Sequence, residues 1–146
     1  MNIYLACTVR GDRGAVRAAR SLADALESMG HVVLTRHLLE ENVESAESAL
    51  TERDVFERDM QWLQSADVLI AEASGSSYGV GFEVGYVLGR SDVTNQRVLL
   101  LYDAARRSLV SRLIAGNVHS NCTTYPYCDA EDLVRFVRSF FAAVGC

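Results

Sequence analysis

Apolar and polar positions along the chain switch repeatedly between a strand pattern and a helix pattern. Residues 2–9 (NIYLACTV) are nearly all apolar, which predicts a first strand buried on both faces. A turn over 10–14 leads into a helix over 15–29 with the stripe Val16, Ala19, Leu22, Ala23 and Leu26, stopped by Gly30. Residues 31–35 make a short β-branched strand. The acidic stretch 39–50 is only weakly periodic and reads as a mobile loop or frayed helix beside a site. Thr51-x-x-Asp54 opens a second helix that turns Val55, Phe56, Met60 and Leu63 inward. Residues 66–71 and 96–102 are further buried strands, with a helix carrying Leu109, Leu113 and Ile114 after the latter. A short fifth strand over 121–125 precedes a last helix over 129–144, capped by Asp129 and striped by Leu133, Phe136, Val137, Phe140 and Phe141. Repeated βα units predict one α/β domain over 1–146. Its doubly wound, flavodoxin- or Rossmann-like sheet has about five mostly parallel strands flanked by helices, with ligands at the carboxyl ends of the strands.

The third strand runs into a Ser/Gly-rich loop, 73–79, and then a helix beginning near Gly79. Such a loop offers unpaired backbone N–H groups to an anion. The helix buries Val80, Val84, Val87 and Leu88, and Glu83 sits in or beside that stripe. Near a helix start its ionised form is favoured by the macrodipole, which suits a nucleophile or an electrostatic stabiliser; a solvent-facing glutamate compensating the dipole fits the pattern equally. Asp59, four residues from both Val55 and Leu63, falls on the inward stripe of the second helix, unless it pairs with Arg58 or another arginine as a structural salt bridge. Thr8, Arg10 and Gly11, then His37, the loop 74–83 and Asp103 all follow strands and share one sheet edge. Arg10, in the turn, is the best placed phosphate ligand, whereas Arg13, Arg17 and Arg20 read as a solvated helix face. Tyr4 on a buried strand reads by itself as core.

Composition narrows the chemistry. A net charge of −5 with pI near 5.1 argues against a nucleic acid polymer as partner. All fourteen basic residues are arginine, which excludes a Schiff-base lysine and a P-loop lysine. Cys7, Cys122, Cys128 and Cys146 show no ligand or C-x-x-C spacing and read as free thiols, so neither a structural metal nor a cofactor is expected. No stretch approaches a membrane span and no basic leader precedes the first strand, so a cytoplasmic protein is expected.

Four segments together resemble a known family: Tyr4 with Thr8-Val9-Arg10-Gly11; Leu34-Thr35-x-His37; Arg58-Asp59-x-x-Trp62-Leu63-Gln64-x-Ala66-Asp67; and Ser77-x-Gly79-Val80-Gly81-Phe82-Glu83. They are similar to the 2′-deoxynucleoside 5′-phosphate N-hydrolases, relatives of the nucleoside 2-deoxyribosyltransferases, over nearly the whole chain. The resemblance implies an α/β homodimer that cleaves the N-glycosidic bond of a nucleoside 5′-monophosphate without a cofactor. By position it makes Glu83 the nucleophile, Asp59 the acid for the leaving base and Tyr4 the residue that orients Glu83. It assigns Arg10, Gly11, Ser77 and Gly79 to the 5′-phosphate, with Thr8 and Gly81 taken into the same binding set, His37 to the base pocket, and Ser120 to the neighbouring subunit's site. Acid and nucleophile are expected to have pKa values pushed apart, Glu83 toward its ionised form. Cys7-Thr8 replaces a Gly-Ser pair of the family, and the segment 91–96 is longer. A transferase acting on unphosphorylated nucleosides and a non-catalytic nucleotide sensor are the competing functions.

Overall fold

The computed structural model describes residues 1–145; the expected free thiol of Cys146 lies outside them. Strand β1 (Asn2–Ala6) is followed by helix α1 (Val16–Ser28), β2 (Val32–Val33), a 3-10 turn (Arg36–Leu39), α2 (Val43–Glu47) and α3 (Glu52–Ser65). Then come β3 (Val68–Glu72), α4 (Tyr78–Leu88), α5 (Ser91–Thr94), β4 (Arg97–Asp103), a second 3-10 turn (Ala104–Arg106), α6 (Arg112–Ala115), β5 (Cys122–Tyr127) and α7 (Ala130–Ala143). All strand pairs are parallel, in the order β2-β1-β3-β4-β5. That is a doubly wound α/β sheet, and its order reverses at β1, which opens a crevice between the carboxyl ends of β1 and β3.

Strand alternation divides the core in two. Ile3, Leu5, Ile70, Leu99 and Leu101 face α1 and α7, packing on Leu22, Leu26, Leu133 and Val137. Tyr4, Ala6, Leu69, Ala71 and Leu100 face the other way, onto Leu63 of α3 and Val80, Val84 and Val87 of α4. The same alternation aims the Tyr4 side chain at α4.

Several elements depart from the sequence expectations. The first strand ends at Ala6 rather than residue 9, because the chain leaves the sheet there and Cys7 and Val9 wall the crevice. The second strand pairs only at Val32 and Val33. Beyond it the Thr35 hydroxyl donates to Leu5 O at 2.7 Å and accepts from Leu5 N at 3.0 Å, substituting for a backbone ladder. Part of the acidic stretch is ordered as α2. Phe56, expected inward, is 55% exposed: the Thr51–Asp54 capping box fixes the start of α3 at Glu52 and leaves only Leu63 fully buried, while Phe56 meets Phe82 on the surface. The expected helix through Leu109 and Leu113 is a 3-10 turn and the single turn of α6, with both leucines exposed. Their spacing is helical, but only Ile114 and Val110 of this connection pack inward, and a single turn suffices for that. The fifth strand runs on to Tyr127 through Pro126, tolerated because β5 is an edge strand.

Candidate functional site

A cleft of about 600 Å³ opens at the carboxyl ends of β1 and β3. Its floor carries Glu83, which α4 presents beside the buried Val80 and Val84. The Tyr4 hydroxyl donates to Glu83 Oε1 at 2.7 Å. Burial raises the Glu83 carboxyl to about 7, with the Tyr4 bond lowering it and the Asp59 charge raising it. This reverses the expected direction. Helix α4 starts at Tyr78, so Glu83 is its sixth residue, beyond the first turn where the dipole acts, and desolvation decides the sign. Burial also pushes the Tyr4 hydroxyl far up, so Tyr4 stays a proton donor to the carboxylate.

Asp59 lines the same cleft, but it does not sit on a bare apolar face. Arg58 Nε donates to Asp59 Oδ1 at 2.9 Å, the pairing that sequence alone left open. Arg58 also contacts Glu47 Oε1 at 2.7 Å and lies over Trp62 at 4.9 Å.

At the other side of Glu83 stand Ser77, Gly79 and Arg10. The Ser77 hydroxyl caps α4 by accepting from Val80 N at 3.3 Å, and its proton remains available to an incoming oxygen. Arg10 is exposed and unpaired with any carboxylate among the described residues. Thr8 is 5% exposed, with a hydroxyl that finds no protein partner. Gly11, at φ +105°, lets the turn pass beneath Thr8, a conformation that favours glycine.

Thr8 and Gly11 are therefore beside the cleft rather than in its lining, and three further predicted residues stand elsewhere. His37 does not line the cleft; its Nε2 lies 3.4 Å from Glu47 and its ring meets Trp62 edge-on, so it braces the wall from behind. Gly81 lies on the outer face of α4, in a neighbouring groove with Gly85 and Leu113. Ser120 is exposed in the turn before β5, at the amino end of an edge strand, whereas the cleft lies at the carboxyl ends of β1 and β3.

Sequence reasoning missed two supports. Arg13, read as solvated, donates to Thr8 O, Val9 O, Leu38 O and Glu40 O at 3.1–3.4 Å, and Arg20 Nε donates to Leu39 O at 2.7 Å. Together they hold the wall that Val9 and Leu38 form. Glu72, 3% exposed, accepts from Ser74 Oγ at 2.5 Å and Tyr127 OH at 2.8 Å, while Ser74 Oγ accepts from Asp103 N at 2.7 Å. A charged residue ending an otherwise apolar strand was the signal for this network.

The sequence model of the family described as nucleoside 2-deoxyribosyltransferase matches residues 3–124. The chain belongs to this family. A Thermofilum pendens relative named "Putative 2'-deoxynucleoside 5'-phosphate N-hydrolase 1" is 41% identical over 139 residues, covering 95% of this chain and 94% of its own. The Danio rerio 5-hydroxymethyl-dUMP N-hydrolase is 33% identical over 117 residues, 80% of this chain and 78% of its own. Among solved structures, the Clostridium botulinum CMP N-glycosidase BcmB has the same fold, with a TM-score of 0.69 at 16% identity over 95% of this chain and 99% of its own.

Proposed function

We propose that this member of the family is a glycosidase that hydrolyses the N-glycosidic bond of nucleoside 5′-monophosphates, releasing free base and a pentose 5-phosphate. The observation that carries the reading is Glu83 held by Tyr4 in a cleft with a second carboxylate, Asp59, and an anion cradle at Ser77, Gly79 and Arg10. The names of the relatives support it.

In this reading Glu83 Oε attacks the anomeric carbon as the bond to the base breaks, and the oxocarbenium charge that builds on the sugar is met by the carboxylate. The base takes a proton from Asp59 as it leaves. Water then opens the glycosyl ester, giving up its proton to Asp59 and restoring Glu83. Arg10, Ser77, Gly79 and the backbone N–H groups at the start of α4 hold the phosphate, and Thr8 supplies a further hydroxyl.

We also propose a homodimer. Gly81 and Gly85 on the outer face of α4 allow close approach of another chain, and the exposed Phe82, Leu113 and Val118 favour burial there. Ser120 then reaches the partner's cleft.

The test is base release from a panel of nucleoside monophosphates. Glu83→Gln should bind nucleotide yet lose turnover by several orders of magnitude; turnover near that of the unaltered protein would remove Glu83 from the nucleophile role.

A further inference from the structure

The cleft has an end that neither the nucleophile nor the phosphate cradle occupies. With the anomeric carbon at Glu83 and the phosphate at Ser77 and Arg10, the base extends toward Val9, Leu38, Val55 and Glu47. The first three are apolar and take the faces of a flat ring. Glu47 and the more exposed Glu52 are the carboxylates beside them.

The Glu47 carboxylate is held in place from behind. Oε1 has Arg58 Nη2 at 2.7 Å and His37 Nε2 at 3.4 Å, and Trp62 packs against both of those groups. The Glu47 side chain is only 17% exposed. Its Oε2 accepts no hydrogen bond from the described residues, so one acceptor remains for a ligand in the cleft.

A carboxylate held against a cation is an acceptor only. Cytosine, adenine and guanine each present an exocyclic amino group, a pair of donors, whereas uracil and thymine present carbonyl oxygens where cytosine has its amine. An acceptor facing the amine makes a charge-assisted hydrogen bond, and the same acceptor facing a carbonyl oxygen is repelled.

We infer that Glu47 reads the edge of the base and selects nucleotides with an exocyclic amino group over those of uracil and thymine. The inference rests on the nucleotide hydrolase reading for the placement of sugar and phosphate. It also separates this chain from the vertebrate relatives named for a uracil nucleotide.

The probes are dCMP and dUMP, which differ where amine replaces carbonyl. Their dissociation constants are measured by calorimetry on Glu83→Gln, alone and combined with Glu47→Gln, and base release is followed on the unaltered protein and on Glu47→Gln. Preference for dCMP should be roughly ten- to a hundredfold. Glu47→Gln should cancel or invert it, because the amide offers a donor to the uracil carbonyl. Equal or tighter binding of dUMP overturns the inference, as does a preference that survives Glu47→Gln. A uniform loss for both nucleotides also overturns it, since that is the signature of Glu47 merely propping Arg58. Base release from both at equal kcat/KM sinks the role of Glu47 and leaves the hydrolase standing; selective binding of dCMP without any base release does the reverse. Binding of neither overturns both.

Discussion

The hydroxyl of Tyr4 and the carboxylate of Glu83 are 2.7 Å apart at the cleft, on a strand and a helix 79 residues distant in sequence. As the proposed nucleophile, Glu83 must be ionised to attack, so activity should fall as pH drops through about 7, the value to which burial lifts this group. Tyr4 donates to the ionised form and so holds that value down. Removing the bond in Tyr4→Phe should therefore move the acid limb of the kcat/KM profile to higher pH, with a lower rate at neutrality. A limb that stays in place, or moves to lower pH, would show that Tyr4 does not tune Glu83. At this scale the sequence was readable where motif and fold agreed, as for Glu83 and Asp59 on adjoining elements. It was silent on the partners: nothing in the spacing of residues 39–50 brings Glu47 to Arg58, because that contact depends on how α2 folds back on α3.

Among the elements, the loop from β3 to α4 carries the phosphate argument, and it is supported from two directions. Glu72, Ser74 and Tyr127 tie its base to β4 and β5, and the turn after β1 packs directly over Gly75. A Cβ at Gly75 would stand 2.8 Å from both Asp12 O and Thr8 Oγ1, and the first of these is backbone that cannot swing aside. Gly75→Ala should displace the loop, costing about 1–3 kcal/mol of stability and lowering kcat/KM for the nucleotide at least about tenfold. Thermal unfolding and steady-state assays check this; an alanine variant matching the original on both counts would refute the packing account. Strand and helix boundaries were legible where apolar runs met a cap, as at Thr51 and Asp129. They failed around α6, where Leu109 and Leu113 have helical spacing yet both stay exposed and only Ile114 packs on the core.

For the whole molecule, the parallel sheet was legible from the βα rhythm, since fully apolar strands need helices on both faces; the strand order that puts its switch point at β1 was not, because the rhythm does not set the order. Assembly was not, because an exposed apolar face looks the same in sequence as a buried one. If Phe82 and Leu113 meet a second copy, sedimentation should give a dimer, and Leu113→Glu should yield monomers with reduced base release. A fully active monomer would exclude any need for Ser120 from a neighbour. Hydrolysis of a phosphorylated nucleoside is the activity proposed for the cleft. Its most direct test is kcat/KM for a deoxynucleoside and for its 5′-monophosphate, read as released base with and without a second base present. The account predicts that the monophosphate exceeds the nucleoside by roughly a hundredfold or more, as two charge-assisted contacts allow, with hydrolysis undiverted by the added base. Comparable values for the two, or transfer of the sugar to the added base in preference to water, would contradict it.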